Sequence, residues 1–240
     1  MYGLGTLINT VAIIIGGLLG MLFGKLISER FQDTLRKACG ISVLFIGIAG
    51  ALKGMMSANA NGSLNTKNEI LIVVCMALGA LVGELLNIEG NFERFGEWLK
   101  KKTGNAKDNN FIDGFVSTSF TVCIGAMAIV GAMSDALYGD ISILITKSIL
   151  DFIMVMIMTG SLGKGCIFSA IPVALLQGSV TALSVLIVPL MTDAALFNLS
   201  MVGSILIFCV GLNLIWEKKV RVANMLPAII FAVAAAFLPI

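Results

Sequence analysis

Two residues in the stretch LITKSILDFIM (144–154) could do chemistry where chemistry is costly. They are Lys147 and Asp151, four apart in an otherwise apolar run, and on a helix that spacing puts both on one face. The run extends from about residue 141 to 163. At 1.5 Å rise per residue the pair lies about 10–16 Å from its start, near the middle of a hydrocarbon layer about 30 Å thick. A lone charge at that depth costs about 2.5–3.5 kcal/mol on insertion scales. Paired, the two charges offset one another in part. The pair then has two readings: an ion pair that fixes helix packing, or part of a site where something polar docks. Replacing a buried pair with apolar residues is often neutral or stabilising, so stability alone is a weak reason for having one.

Other polar groups fall at similar depth. Asn9 is early in the first apolar run, and Gln177 is in the middle of PVALLQGSVTAL (172–183). An amide without partners is costly in apolar surroundings, so both are expected to face protein or water, touching a ligand or bracing a neighbour. The segment FVSTSFT (115–121) holds four hydroxyls in seven residues. Such hydroxyls commonly bond back to their own helix, and the alternative is that they line a pathway. The candidate substrate- or ion-binding set is therefore Lys147, Asp151, Gln177 and Asn9, with Ser148 and Thr121. Glu84, near the end of its run, is expected at the interface by snorkelling. Asp135 and Asp140 are read as residues of a short outer loop, either ordinary loop carboxylates or an acidic entry point. Pro172 is expected to free a carbonyl and kink its span. Gly125 and Gly131 lighten theirs, and GSLGKG (160–165) makes a flexible turn.

The elements that must position these groups follow from composition. The chain has 240 residues, 58% hydrophobic and 12% charged, with a mean hydropathy of +1.00. A soluble domain carries about 25% charged residues; half that cannot cover a water-facing surface. The net charge of +2 and short, scattered basic runs argue against nucleic acid, which needs a continuous basic face. Histidine is absent, which removes serine–histidine triads, the HExxH zinc motif and histidine relays. There is no metal-ligand cluster and no Walker-type phosphate loop, so an enzyme is not expected, nor ATP-driven transport by this chain alone, and no cofactor is implied. The five cysteines are far apart in apolar runs and read as small buried hydrophobes. The N-terminal run lacks a basic n-region and exceeds a signal h-region, so it reads as a retained span.

About 20 apolar residues cross the hydrocarbon core. Eight stretches qualify: 4–25, 39–56, 69–88, 111–134, 141–163, 165–190, 198–216 and 222–240. The second is short and the last hairpin is the less secure, so seven spans is the alternative. With the N-terminus outside, thirteen of the sixteen Lys and Arg fall in inside loops: Lys25, Arg30, Arg36, Lys37, Arg94, Lys100, Lys101, Lys102, Lys107, Lys164, Lys218, Lys219 and Arg221. Lys53 and Lys67 fall outside. This asymmetry predicts both ends outside. Two inside segments, SERFQDTLRKA (28–38) and EGNFERFGEWLKKK (89–102), are amphipathic and are expected as short interfacial helices. The fold class is thus an all-α polytopic transmembrane bundle forming one domain over 1–240. A parallel internal repeat relating 4–56 to 69–134 is a further expectation, since GGLLG and GALVG each precede a charged stretch and a Gly-rich span.

The segments GTLINTVAIIIGGLLG (5–20), CIGAMAIVGAMSDALYGD (123–140), KSILD (147–151) and FSAIPVALLQG (168–178) resemble the YdfK/YqgA-type family of bacterial integral membrane proteins. The resemblance covers nearly the whole chain and is most specific over 120–180. It implies a bacterial cytoplasmic membrane and supplies no substrate, because that family is one of unknown function. The leading expectation is a secondary transporter or permease for a small solute or ion, with its site in the fourth to sixth spans. The alternatives are a non-transporting scaffold or partner subunit, whose charge pair is packing glue, and a channel. The expected partners are the lipid bilayer, a small solute or ion, and a second copy of the chain.

Overall fold

The computed structural model describes residues 3–26, 28–58, 64–105, 110–123, 126–216 and 220–238. Gly125, Lys107, Lys218 and Lys219 lie outside the described residues. The elements in order are α1 (Leu4–Leu26), α2 (Glu29–Met55), β1 (Met56–Ala58), β2 (Leu64–Thr66), α3 (Glu69–Leu86), α4 (Ile88–Lys102), α5 (Phe111–Cys123), α6 (Ala126–Tyr138) and α7 (Ser142–Leu162). A 3-10 segment, Lys164–Ser169, then leads into α8 (Ala170–Ala182) and the short α9 (Ser184–Ile187). The chain ends with α10 (Asp193–Trp216), α11 (Val222–Met225) and α12 (Pro227–Ala235). The strands form a small antiparallel hairpin, with Met56 opposite Thr66.

Among the described residues, five helices are long and apolar enough to cross a membrane: Leu4–Leu22, Glu69–Leu86, Ser142–Leu162, Lys164–Ala182 and Asp193–Trp216. A sixth span results if α5 and α6 count as one, although their axes diverge by 59°. This is fewer than the eight expected from composition. The expected second span is an apolar helix of only Gly40–Met55, about 24 Å long at 1.5 Å per residue. The expected eighth is Val222–Ala235, about 21 Å by the same rise, and a turn at Leu226 before Pro227 interrupts it. Neither reaches the roughly 30 Å of a hydrocarbon core without tilt or thinning. The expected 165–190 span is regular only to Ala182. Counting apolar residues overestimated spans because apolar sequence also covers turns packed against protein.

The amphipathic segment 28–38 is not a helix of its own; it is the first half of the continuous α2. α4 is a separate helix. Its Phe92 stacks on Phe115 at 5.2 Å between ring centres and Phe95 lies 6.0 Å from the same ring, while Trp98 is exposed under the Lys102 ammonium. Its apolar side thus docks on α5.

Two long pairs frame the molecule: α1 packs along α7, and α2 along α10. Glycines permit the approach. A Cβ at Gly16 would fall 2.5 Å from the Phe152 carbonyl oxygen, and one at Gly47 would fall 2.6 Å from the Phe208 amide. Val43, Leu99, Phe111, Phe115, Leu162, Leu214 and Val222 share one buried cluster, so the described lysine-bearing turns, at Lys100, Lys101, Lys102 and Lys164, gather at one end of the bundle. Large apolar side chains such as Leu7, Ile70, Leu85 and Ile149 are exposed on the perimeter, a girdle suited to lipid.

Candidate functional site

The site is built on α1, α5, α7 and α8. Ile13, Val122, Val155 and Val173, one from each helix, form a buried apolar cluster. α1 runs parallel to α7, since Gly5 lies against Leu144 and Gly16 against Phe152, whereas α8 runs the other way, with Gly17 against Ile167 and Gly3 towards Thr181. One helical turn is about 3.6 residues. One turn beyond the apolar cluster, away from the lysine-bearing turns, stand Asn9 on α1, Asp151 on α7 and Gln177 on α8. The sequence pattern thus places three of the candidate groups in one layer.

Within it Lys147 and Asp151 close an ion pair at 2.7 Å, with the ammonium also 2.8 Å from the second carboxylate oxygen. Asn9 donates from Nδ2 to Asp151 at 3.0 Å. The Lys147 ammonium donates in addition to the Val122 carbonyl at 2.8 Å. That carbonyl belongs to the last described turn of α5. The final carbonyls of a helix have no partner within it and carry about half a negative charge. Lys147 donates to one carbonyl of that turn from a neighbouring helix. The pair is almost wholly buried, Lys147 at 8% and Asp151 at 6% exposure.

Gln177 is fully buried, and neither its amide nitrogen nor its amide oxygen has a partner. Asn9 is fully buried too; its nitrogen is taken by Asp151 and its oxygen is unpartnered. Ser148 and Thr121 are not drawn into the network. Ser148 bonds back to Leu144 O at 2.6 Å and Thr121 to Ser117 O at 2.8 Å, each within its own helix. Pro172 is in the first turn of α8, where proline is tolerated, so the regular helix starts beside it rather than kinking at it. It lines an apolar cleft of about 670 Å³ with Ser119, Phe120, Cys123, Leu176 and Ile229. Lys147 and Asp151 do not line that cleft.

Asp135 corrects the reading of an outer loop. It is inside α6 and fully buried, and its Oδ2 accepts from the Gly5 amide at 2.8 Å. The signal was present in the sequence: Ala128, Ala132 and Asp135 recur at i, i+4 and i+7, and all three are buried. Asp140 is a loop residue as expected. Hydrogen bonds from the Ser142 hydroxyl and amide hold its carboxyl below the ordinary carboxylate value. Glu84 lies at the other end of the bundle, partly exposed, paired with Arg221 at 2.7 Å and accepting from Asn224 at 2.6 Å. Glu89 accepts from the Ala223 amide at 3.1 Å, so the α3–α4 joint is latched to α11. Sequence reading missed this latch, because its partners are more than 130 residues apart. Among the described residues no three Cys, Asp or Glu side chains gather as metal ligands.

Comparison with known proteins decides the family. The family described as "Protein of unknown function (DUF554)" matches residues 4–237. The chain belongs to the DUF554 family. Two relatives span nearly the same length. The "Uncharacterized membrane protein YdfK" of Bacillus subtilis (strain 168) is 28% identical over 233 residues, covering 97% of this chain and 95% of the relative. The "Uncharacterized protein YqgA" of Escherichia coli (strain K12) is 31% identical over 236 residues, covering 95% and 94%. No solved structure matches. The printed name of the Bacillus subtilis relative and the apolar helices of this chain agree on a membrane protein.

Proposed function

We propose that the protein is a secondary transporter or permease for a small solute or ion, operating near mid-membrane around the break between α5 and α6. The observation that carries this reading is the buried Lys147 ammonium, held between the Asp151 carboxylate on its own helix and the Val122 carbonyl of α5. Interrupted helices around midplane polar groups are the usual ingredients of an alternating-access site. In this reading Asp151 is the group that exchanges partners. A proton or a cation arriving on its carboxylate weakens its hold on Lys147, and the end of α5 is then free to move. Asn9 keeps Asp151 in register, and Gln177 offers an unspent amide in the same layer.

The membrane would be the bacterial cytoplasmic membrane, crossed with the lysine-rich turns inside and both ends outside, as the positive-inside rule requires. A test uses proteoliposomes loaded with a pH-reporting dye and challenged in turn with gradients of sodium, potassium and small organic acids. Wild type should respond to at least one gradient and Asp151→Asn to none, while the variant keeps a wild-type elution profile. Wild-type response in Asp151→Asn removes Asp151 from the mechanism.

A second reading, a non-transporting membrane scaffold or partner subunit, has one observation in its favour. The ammonium has three oxygen acceptors within 2.8 Å, so the pair is already satisfied without a ligand. On that reading no gradient moves a proton or solute in wild type, and the variant differs only in stability.

A further inference from the structure

The polar groups around the first turns of α1 are not spent on the charge pair. Asp135 is fully buried; one carboxylate oxygen takes the Gly5 amide and the other, Oδ1, has no partner. Thr6, in the same turn as Gly5, is buried with its hydroxyl unpartnered. Gly3 faces Thr181, whose hydroxyl is also unpartnered. One turn deeper are the free oxygens of Asn9 and Gln177. The Asn9 nitrogen donates to Asp151, which leaves its oxygen unspent. Asp135 of α6 and Thr181 of α8 both approach the first turn of α1, at Gly5 and Gly3, and α6 and α8 both pack on α1.

Charge decides what such a region would hold. Lys147 and Asp151 cancel, so Asp135 is the surplus charge. The α1 N-terminus offsets about half of it. A buried carboxylate with a bare oxygen is costly unless a cation or donor meets it. Divalent ions recruit several carboxylates or many waters, and one carboxylate among neutral hydroxyl and amide oxygens is too weakly charged for that. It suits a small monovalent cation.

We infer that Asp135, with Thr6 and Thr181 and backed by Asn9 and Gln177, forms a binding site for an alkali cation at the end of the bundle remote from the lysine-bearing turns. The site adjoins the Lys147–Asp151 pair through Asn9 and stands whether or not the protein transports.

The test is thermal unfolding of the purified full chain in mild detergent. Lithium, sodium or potassium chloride is titrated against choline chloride at constant ionic strength. At least one alkali cation should raise the midpoint saturably in wild type while choline does not, and Asp135→Asn should abolish the shift. The same curve in all four salts overturns the inference, and so does a saturable shift retained by Asp135→Asn. Should that variant fail to fold, the Thr6→Val/Thr181→Val double variant serves in its place. A half-saturating concentration at least tenfold higher supports the site, and an unchanged one overturns it. The two readouts are separate: a saturable cation shift in a wild type that responds to no gradient in proteoliposomes supports this site while the transport reading fails.

Discussion

Replacing Lys147 with methionine keeps an unbranched side chain, one atom shorter, and removes its charge. Asp151 is then left with the Asn9 amide alone, and Val122 O loses its donor. The side chains of the pair are 10% and 8% exposed, so water cannot make up the loss. Breaking a buried pair by removing one partner costs about 3–5 kcal/mol. At roughly 2–4 °C per kcal/mol for a chain of this size, the midpoint should fall by about 6–20 °C. The double variant Lys147→Met/Asp151→Leu removes both charges. It leaves two orphans, the Val122 carbonyl and the Asn9 amide. Hydrogen bonds inside membrane bundles are worth about 0.6 kcal/mol on average and up to about 1.7, so the pair of orphans costs about 1–3 kcal/mol. The double variant should therefore be more stable than Lys147→Met by about 2 kcal/mol, or about 4–8 °C on the same scale. Both are read by thermal unfolding of the full chain in one detergent at one scan rate, with Asp151→Leu completing the cycle. A Lys147→Met midpoint within 2 °C of wild type, or a double variant worse than either single, refutes the buried-pair argument.

Two further substitutions test other joints. Gly83→Ala places a methyl on the Asn224 backbone carbonyl, so α3 must move off α11 and strain the Glu84 and Glu89 bonds. Overpacking of this kind costs about 1–3 kcal/mol, while Gly178→Ala, where nothing lies within 4 Å, should be neutral or slightly stabilising in the same unfolding assay. Gln177→Leu removes a buried amide with no partner and should match or exceed wild-type stability; under the transport reading it lowers gradient-driven movement in proteoliposomes, and under the scaffold reading it changes nothing further.

Much of this was legible in the chain. An i, i+4 charge pair in an apolar run had to be buried and paired, and it is. Asn9 and Gln177 were expected to face protein or water, and both are fully buried in protein. What could not be read was the partner of each. The carbonyl that Lys147 caps is a backbone atom 25 residues away, and no residue type announces it. Asp135 was misplaced because a charged residue near a glycine and a following Gly-Asp looks like a loop; the buried alanine face behind it was the better signal. The span count failed for a related reason. Hydropathy records that a segment avoids water, and Val222–Ala235 avoids it by packing on α3 and α10 as well as by meeting lipid.

The choice of a lysine to finish α5 bears on function more than its burial does. A neutral group could satisfy the Val122 carbonyl. The hydroxyls of Ser148 and Thr121 each satisfy a backbone carbonyl within their own helices, and no counter-charge is then required. A lysine requires one, and Asp151 provides it one turn away on the same helix. Two desolvated charges now stand where one hydroxyl would serve. The strength of the grip on α5 then depends on the charge state of one carboxylate, and a hydroxyl cap has no such dependence. A proton or cation on Asp151 changes that grip directly; lipid and apolar packing cannot. Under the transport proposal this arrangement would make the grip on α5 answer to ion binding, a property that a gradient-coupled transporter needs and a passive scaffold does not.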